Sequence, residues 1–119
     1  MLKGNFYNSA NTTQDAGQIS ATIALNAAHP VFQGHFPDQP VVPGVCMMQI
    51  ITETLEEAVQ KKVQLQKASQ MKFLNMIDPV KQPQVDITVN YKEDEGGLKV
   101  NAVLKHEATT FMKFQGIFK

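Results

Sequence analysis

Residues 29–53 read HPVFQGHFPDQPVVPGVCMMQIITE, and the two halves of this stretch predict different structures. Prolines at positions 30, 37, 40 and 43 each fix a backbone angle and remove an amide donor, so we expect residues 27–44 to form an ordered irregular loop without helix. Residues 45–62 have the apolar content and the Glu/Lys spacing of a helix. Its first seven residues are apolar apart from Gln49, which predicts a helix that begins deep within the fold and emerges into water.

Strand periodicity is found on both sides of this helix. Five stretches alternate apolar and polar side chains or mix them over the length of a strand: 17–26, 63–77, 84–92, 98–105 and 110–118. The order is therefore one or two strands, one central helix, and three or four antiparallel strands. The economical packing is an antiparallel sheet curved round the single helix, an α+β fold in one domain over residues 1–119.

The composition excludes several classes of function. Eleven basic and eleven acidic side chains cancel, which leaves no electrostatic footprint for nucleic acid. A single cysteine, Cys46, rules out an intrachain disulfide, and no apolar run reaches the roughly 20 residues needed to span a bilayer. We therefore expect a cytoplasmic protein. The three histidines lack the spacing of a metal site, so neither a metal nor another cofactor is expected.

The proline-rich loop and the helix start carry a resemblance to a known family. They are similar to the motif P-F-F-x-G-H-F-P-x-x-P-x-x-P-G-V of the 3-hydroxyacyl-acyl carrier protein dehydratases of bacterial fatty-acid synthesis. Ten of its sixteen positions match: Pro30, Phe32, Gly34, His35, Phe36, Pro37, Pro40, Pro43, Gly44 and Val45. Residues 71–80, MKFLNMIDPV, look like the family's next strand and proline turn, so the resemblance covers about residues 17–118.

The resemblance implies a hotdog fold, normally paired into a double-hotdog dimer with two equivalent sites at the interface. The implied ligand is an acyl thioester of acyl carrier protein or of coenzyme A, with its acyl chain in an apolar tunnel. A homodimer or higher homo-oligomer and an acyl carrier protein are the expected partners. The charged fraction of 18% is below the usual ~25%, as expected if another subunit covers part of the surface.

The resemblance also assigns roles to single residues. His35 matches the catalytic histidine, which acts as the base, and Gly44 matches the glycine whose backbone N–H binds the thioester carbonyl. A helix N-terminus offers unpaired amides where enolate charge develops, and an imidazole with a pKa near ~6.5 can take the C2 proton. Four apolar residues of this region are assigned to substrate binding: Phe32, Phe36, Val45 and Met48.

One position departs from the family pattern. Fourteen residues after His35 the family carries a carboxylate from the partner subunit, which helps to expel the 3-hydroxyl, and this chain has Gln49. One turn later the family commonly has glutamine, and here Glu53 stands, so the two residue types look exchanged. Gln49 can position a hydroxyl or a water but cannot deliver a proton. Glu53 either replaces the missing carboxylate or, as we favour, is a solvated glutamate.

Three functions remain open at this point. The leading hypothesis is a hydro-lyase that dehydrates a 3-hydroxyacyl thioester, with His35, Gly44, Gln49 and Glu53 as catalytic candidates. A hotdog thioesterase would use the same helix start with Glu53 to activate water. A non-catalytic subunit that binds acyl chains or completes a heterodimer is favoured by the amide at position 49.

Overall fold

The computed structural model of the chain describes residues 2–34 and 39–119. Two strands come first, β1 (Tyr7–Asp15) and β2 (Gln18–Leu25), and a single turn of 3-10 helix follows at Pro30–Gln33. The helix α1 spans Gly44–Val59. Four strands complete the described fold: β3 (Leu65–Phe73), β4 (Gln84–Asp94), β5 (Gly97–His106) and β6 (Thr109–Phe118).

The strands form one antiparallel sheet in the order β1-β2-β4-β5-β6-β3. Neighbours in sequence are neighbours in the sheet except at two places, because β3 pairs with β6 and β2 pairs with β4. The strand that follows the helix is therefore at one edge of the sheet and the first strand is at the other. This placement puts β3 next to the start of α1.

The core lies between α1 and one face of the sheet. Apolar side chains from the helix and from alternate strand positions are buried there: Ile50, Ile51, Leu55, Ile19, Ile23, Val85, Ile87, Val89, Val100, Leu104, Met112 and Phe114. The alternation follows from the pleat, which sends every second side chain of a strand to the same face. The predicted packing of an antiparallel sheet on one helix is confirmed.

The ends of two predicted elements differ from the structure. The helix ends at Val59 rather than Lys62, because Gln60 takes the left-handed conformation with φ of 59° and its amide bonds back to the Glu56 carbonyl. The expectation of a loop without helix is wrong at Pro30–Gln33. Proline is tolerated there because it occupies the first turn, where its missing amide has no partner to lose.

The helix does not begin deep within the chain. Val45, in its first turn, is 76% exposed, and Cys46 and Met48 are half-buried. An apolar first turn predicted a surrounded helix, but within one chain the fold leaves this end partly open.

The first strand is the element that periodicity failed to reveal. β1 reads YNSANTTQD, and most of its side chains are polar and exposed. It is held by pairing with β2, with a shift of register between Ala10 and Thr13. An edge strand with one solvated face needs no apolar alternation, which is why its sequence carries little signal.

No helix in the described part of the chain has the length and hydropathy required to cross a membrane.

Candidate functional site at the start of the helix

The start of α1 presents backbone amides that have no acceptor in the part of the chain that the structure describes. Pro43 precedes the helix in an extended conformation, and its carbonyl accepts from the amides of Cys46 (3.0 Å) and Met47 (3.2 Å). Among residues 2–34 and 39–119, no acceptor lies within hydrogen-bond distance of the Gly44 or Val45 amide. Unpaired amides and the helix dipole together give this end partial positive charge, which suits a carbonyl oxygen that becomes negative.

An apolar groove of about 660 Å³ opens beside this helix start. Its wall comes from the segment before the helix, the first helical turn, and the end of β3 with the residues after it: Val41, Val42, Gly44, Met47, Phe73, Leu74, Asn75 and Met76. Its dimensions are in the range of pockets that hold a small organic ligand.

Phe73 lies directly against Gly44. A methyl group added at Gly44 would come 2.9 Å from the ring carbon Cζ of Phe73, closer than carbon atoms pack. Glycine is therefore required if the ring is to stay where it is. The ring is 49% exposed, so it covers the helix start on one side and faces outward on the other.

Hydrogen bonds hold the walls of the groove in place. The Leu74 amide donates to the Phe111 carbonyl at 2.8 Å, and the Asn75 side-chain amide donates to the Thr110 carbonyl at 2.8 Å. On the opposite wall, the Val42 amide donates to the Ile77 carbonyl at 2.9 Å. The segment after β3 is thus tied both to β6 and to the loop that enters the helix.

The sequence-predicted binding residues occupy several environments. His35 and Phe36 lie outside the described residues, so their roles stay predictions. Phe32 is buried in the core, where its ring lies 5.5 Å from that of Phe6. Val45 is exposed beside the groove and Met48 is half-buried against the core. The part of these two side chains in binding also remains a prediction.

Glu53 is not the solvated glutamate that we favoured from the sequence. Its side chain is 1% exposed, and its carboxylate accepts four hydrogen bonds. Oε2 accepts from the Leu2 amide at 2.8 Å and from Gln49 Nε2 at 2.8 Å. Oε1 accepts from the Lys3 amide at 3.0 Å and from the Tyr7 hydroxyl at 3.1 Å. These donors occupy the roughly four acceptor positions of a carboxylate.

The four donors keep this buried carboxylate charged. Burial alone would raise the pKa of Glu53, but the hydrogen bonds from Leu2, Gln49, Lys3 and Tyr7 outweigh burial and lower it. Burial and the neighbouring negative charge of Glu53 raise the pKa of Tyr7, so its hydroxyl stays protonated and remains a donor. The network is therefore a charged acceptor with neutral donors around it.

Sequence reasoning missed Phe73 and the N-terminal residues that reach Glu53. Phe73 belongs to a stretch whose apolar and polar residues are mixed, which hid its position against the helix start. Leu2, Lys3 and Tyr7 lie 46 to 51 residues before Glu53 in the chain, and backbone amides leave no mark in a sequence. The signal that the sequence did offer for this network is the Glu53 carboxylate itself, which lies one helical turn after the Gln49 amide.

We expect Glu53 to make the fold sensitive to acid. Since its folded pKa lies below the ordinary value of 4.5, its contribution to stability is fully present above that pH and is lost as the pH falls through the folded pKa. Glu53→Gln should lower the free energy of unfolding by about 1–3 kcal/mol at pH 7, and the gap to wild type should shrink towards pH 3.

Urea unfolding at pH 7 and at pH 3 measures the difference in the free energy of unfolding between the wild type and Glu53→Gln. The matched control is Glu57→Gln on the same helix, since the Glu57 side chain is 46% exposed and pairs with Lys3 at the surface. Its effect should stay within about 0.5 kcal/mol at either pH. A Glu53→Gln gap that did not narrow in acid would show that the carboxylate is not held charged by these donors.

Cys46 and two histidines do not contribute chemistry to the groove. Burial raises the pKa of the Cys46 thiol, which works against a reactive thiolate. His29 Nδ1 accepts from the Val31 amide at 3.1 Å and caps the 3-10 turn, so this side chain stabilises the local backbone. His106 lies near Asp86 and Glu107 at the far end of β5.

The comparisons with known proteins agree on a family of dehydratases. The family model described as ApeI-like, ApeI dehydratase, matches residues 11–115. The 3-hydroxyacyl-[acyl-carrier-protein] dehydratase FabZ of Paramagnetospirillum magneticum is 32% identical over 94 residues, which cover 67% of this chain and 58% of that protein. Matched regions span between 29% and 58% of the curated relatives, less than two thirds of their length.

Solved structures share the fold at low identity. One chain of the dehydratase heterocomplex ApeI:P from Xenorhabdus doucetiae superposes with a TM-score of 0.73 at 19% identity, covering 95% of this chain and 98% of that one. The conserved protein PA5202 from Pseudomonas aeruginosa superposes with a TM-score of 0.65 at 12% identity, covering 90% of this chain and 84% of that one. The predicted hotdog fold is confirmed. Because the family model also matches most of the sequence, the chain belongs to the ApeI-like dehydratase family.

Proposed function

We propose that the chain binds a 3-hydroxyacyl thioester and acts as a dehydratase, or as a dehydratase-like subunit, in the synthesis of a fatty acid or related lipid. The observation that carries the proposal is the helix start, where the Gly44 and Val45 amides lack acceptors among the described residues beside an apolar groove. This combination fits a ligand with one polar carbonyl and one long apolar chain. The family relationship points to the same class of ligand.

In the proposed reaction the thioester carbonyl accepts a hydrogen bond from the Gly44 amide. This polarises the C2–H bond, and His35 takes the C2 proton as the base. The C2–C3 double bond forms as the C3–O bond breaks, and the departing oxygen leaves as water after taking up a proton. Gln49 orients that hydroxyl but has no proton to give, so elimination depends on the imidazolium or on water for this proton.

The acyl chain is assigned to the groove. Its walls near the helix start are the Phe73 ring and the side chains of Met47 and Met76. Methionine is flexible and polarisable, which suits a wall that accommodates chains of more than one length. Acyl carrier protein and coenzyme A both deliver such chains on a pantetheine arm, and both are candidate carriers here.

A second subunit is proposed to cover the open side of the groove. Seven large apolar side chains are exposed on or near β3 and the helix start: Val45, Leu65, Met71, Phe73, Leu74, Met76 and Val80. An edge strand with exposed apolar side chains is a surface that another chain pairs with. A homodimer would place two such edges together, and native mass spectrometry of the purified chain should show it.

A heterodimer is the second candidate assembly. It is supported by Gln49, which lacks the proton that an elimination site uses, and by the fold shared with a chain of the dehydratase heterocomplex ApeI:P. In that case the chain supplies the binding surface and an active homologue supplies the carboxylate. A thioesterase is less well supported, because the four donors on Glu53 leave it little capacity to activate water.

Turnover of 3-hydroxyacyl thioesters tests the proposal. Enoyl thioester and free thiol are followed by mass spectrometry with the wild type, with His35→Ala, and with a candidate partner added. Enoyl product that disappears in His35→Ala supports a dehydratase, and product that requires the partner supports the heterodimer. Release of free thiol without enoyl product would replace the proposal by a thioesterase, and neither binding nor turnover would remove it.

A further inference from the structure

We propose that Glu53 is a positioning residue that fixes the Gln49 amide with its oxygen towards the ligand, so that the site selects 3-hydroxyacyl over 3-oxoacyl thioesters. The inference rests on the proposed function for the class of ligand and for the position of Gln49 at its 3-hydroxyl. It adds the group that the site distinguishes at C3 and the residue that sets this preference.

The hydrogen bond between Gln49 and Glu53 has only one possible direction. A carboxylate accepts hydrogen bonds and has none to donate, so the contact of 2.8 Å between Gln49 and Glu53 Oε2 must be donated by the Gln49 NH₂ group. The assignment of nitrogen and oxygen in the amide follows from the charge of its partner. The Gln49 carbonyl oxygen Oε1 therefore points away from Glu53.

The donors round Glu53 hold its carboxylate in one arrangement. The carboxylate is buried and accepts from two backbone amides, those of Leu2 and Lys3, which cannot reverse their polarity. The Tyr7 hydroxyl completes the set. Since every contact of the carboxylate is donated to it, Glu53 has no alternative arrangement in which Gln49 could turn its oxygen inward.

The Gln49 oxygen Oε1 is left to accept a hydrogen bond from a ligand. Gln49 is half-buried, and no donor to its Oε1 lies within reach in residues 2–34 and 39–119. The residue lies on α1 about 7.5 Å along the axis from Gly44. It does not line the groove at the Gly44 end. Under the proposed function, a site that uses both residues therefore takes Gly44 from one subunit and Gln49 from the other.

The 3-hydroxyacyl and 3-oxoacyl ligands differ in the hydrogen bond that each can make with Gln49 Oε1. A 3-hydroxyl can donate to Oε1, whereas a 3-oxo group offers another acceptor and places two oxygens against each other. A site built to bind a hydroxyl rejects the analogue that cannot donate. We expect the wild type to bind the 3-hydroxyacyl ligand roughly tenfold more tightly than the 3-oxoacyl ligand of equal chain length.

The test uses non-hydrolysable pantetheine amides with 3-hydroxyacyl, 3-oxoacyl and saturated acyl chains of one length, measured by calorimetry. Glu53→Gln gives Gln49 a partner with both a donor and an acceptor, so Gln49 can turn over and the preference should fall at least fivefold. Gln49→Met removes the acceptor while leaving the carboxylate, and should abolish the preference. Tyr7→Phe removes a donor to the other oxygen, Oε1 of Glu53, and should leave the preference unchanged.

The outcomes separate this inference from the proposed function. If the saturated amide binds but the two 3-substituted amides bind equally well to the wild type, the inference is overturned and the proposed ligand class stands. The inference is also overturned, and the proposed ligand class stands, if Gln49→Met keeps the wild-type preference. Gln49→Met leaves the Glu53 network largely in place, so it remains usable if Glu53→Gln fails to fold. If none of the three amides binds, both proposals fail.

Discussion

Exchanging two side chains of the helix, by Gln49→Glu together with Glu53→Gln, is expected to raise the rate of enoyl formation by roughly 10²–10⁴-fold. The exchange places a group that can carry a proton where the 3-hydroxyl leaves. The new amide at position 53 can accept from the Lys3 amide and Tyr7 hydroxyl through its oxygen and donate to the carboxylate at position 49. The hydrogen bond from Leu2 is the contact that the exchange gives up.

The single variant Gln49→Glu is the informative control. It would set two carboxylates within the distance of 2.8 Å that now separates the amide from Glu53. Like charges so close raise the pKa of one partner and destabilise the fold. We expect less activity and a lower unfolding midpoint than for the double variant. Equal activity in the wild type and in a folded double variant would show that position 49 does not act on the leaving hydroxyl.

Gly116→Ala is expected to destabilise the fold by about 2–4 kcal/mol, because it would separate β3 from β6. A methyl group at Gly116 would overlap the backbone carbonyl of Lys67 on β3 and come 2.6 Å from Cζ of Phe114. Backbone cannot move aside as a flexible side chain can. Because β3 carries Phe73, the groove should lose its wall together with the strand.

Chemical denaturation measures the loss of stability in Gly116→Ala, and ligand binding measures the loss of the groove wall. The matched control is Gly34→Ala. Among the described residues, the atom nearest to the added methyl is the Val31 carbonyl oxygen at 3.9 Å, and the backbone angle suits alanine. Its stability should stay within about 0.5 kcal/mol of the wild type. A Gly116→Ala protein as stable as this control would contradict the pairing of β3 with β6.

Sequence patterns predicted the parts of the fold that obey simple periodicity. Strands β4 and β5 bury alternate residues such as Val85, Ile87 and Val100, and that alternation can be read directly from the chain. The proline-rich loop and Gly44 identified the family and the start of the helix. The first strand escaped notice because a solvated edge strand needs no apolar pattern.

The network round Glu53 could not be predicted in the same way. A glutamate on a helix after an apolar start is usually solvated, and that interpretation followed from local spacing alone. What buries Glu53 is the return of the chain's first residues across the helix, with the Leu2 and Lys3 amides aimed at its oxygens. Contacts over such a sequence separation depend on the whole fold, and backbone donors are the same for every residue type except proline.

The exposed start of the helix has a similar explanation. Six of the seven residues 45–51 are apolar, which indicates burial, and the interpretation assumed that the same chain supplies the cover. The structure leaves Val45 open, and the half-exposed Phe73 at the end of β3 lies against the neighbouring Gly44. An apolar run predicts that a surface is covered, but it does not tell whether the same chain or another one supplies the cover.

A crystal structure with a non-hydrolysable 3-hydroxyacyl pantetheine amide tests the central claim most directly. We predict that the ligand carbonyl accepts a hydrogen bond from the Gly44 amide, that the acyl chain lies in the groove against Phe73 and Met76, and that the imidazole of His35 faces C2. A ligand bound elsewhere on the chain, or a helix start occupied by packed side chains with no room for the carbonyl, would contradict the account.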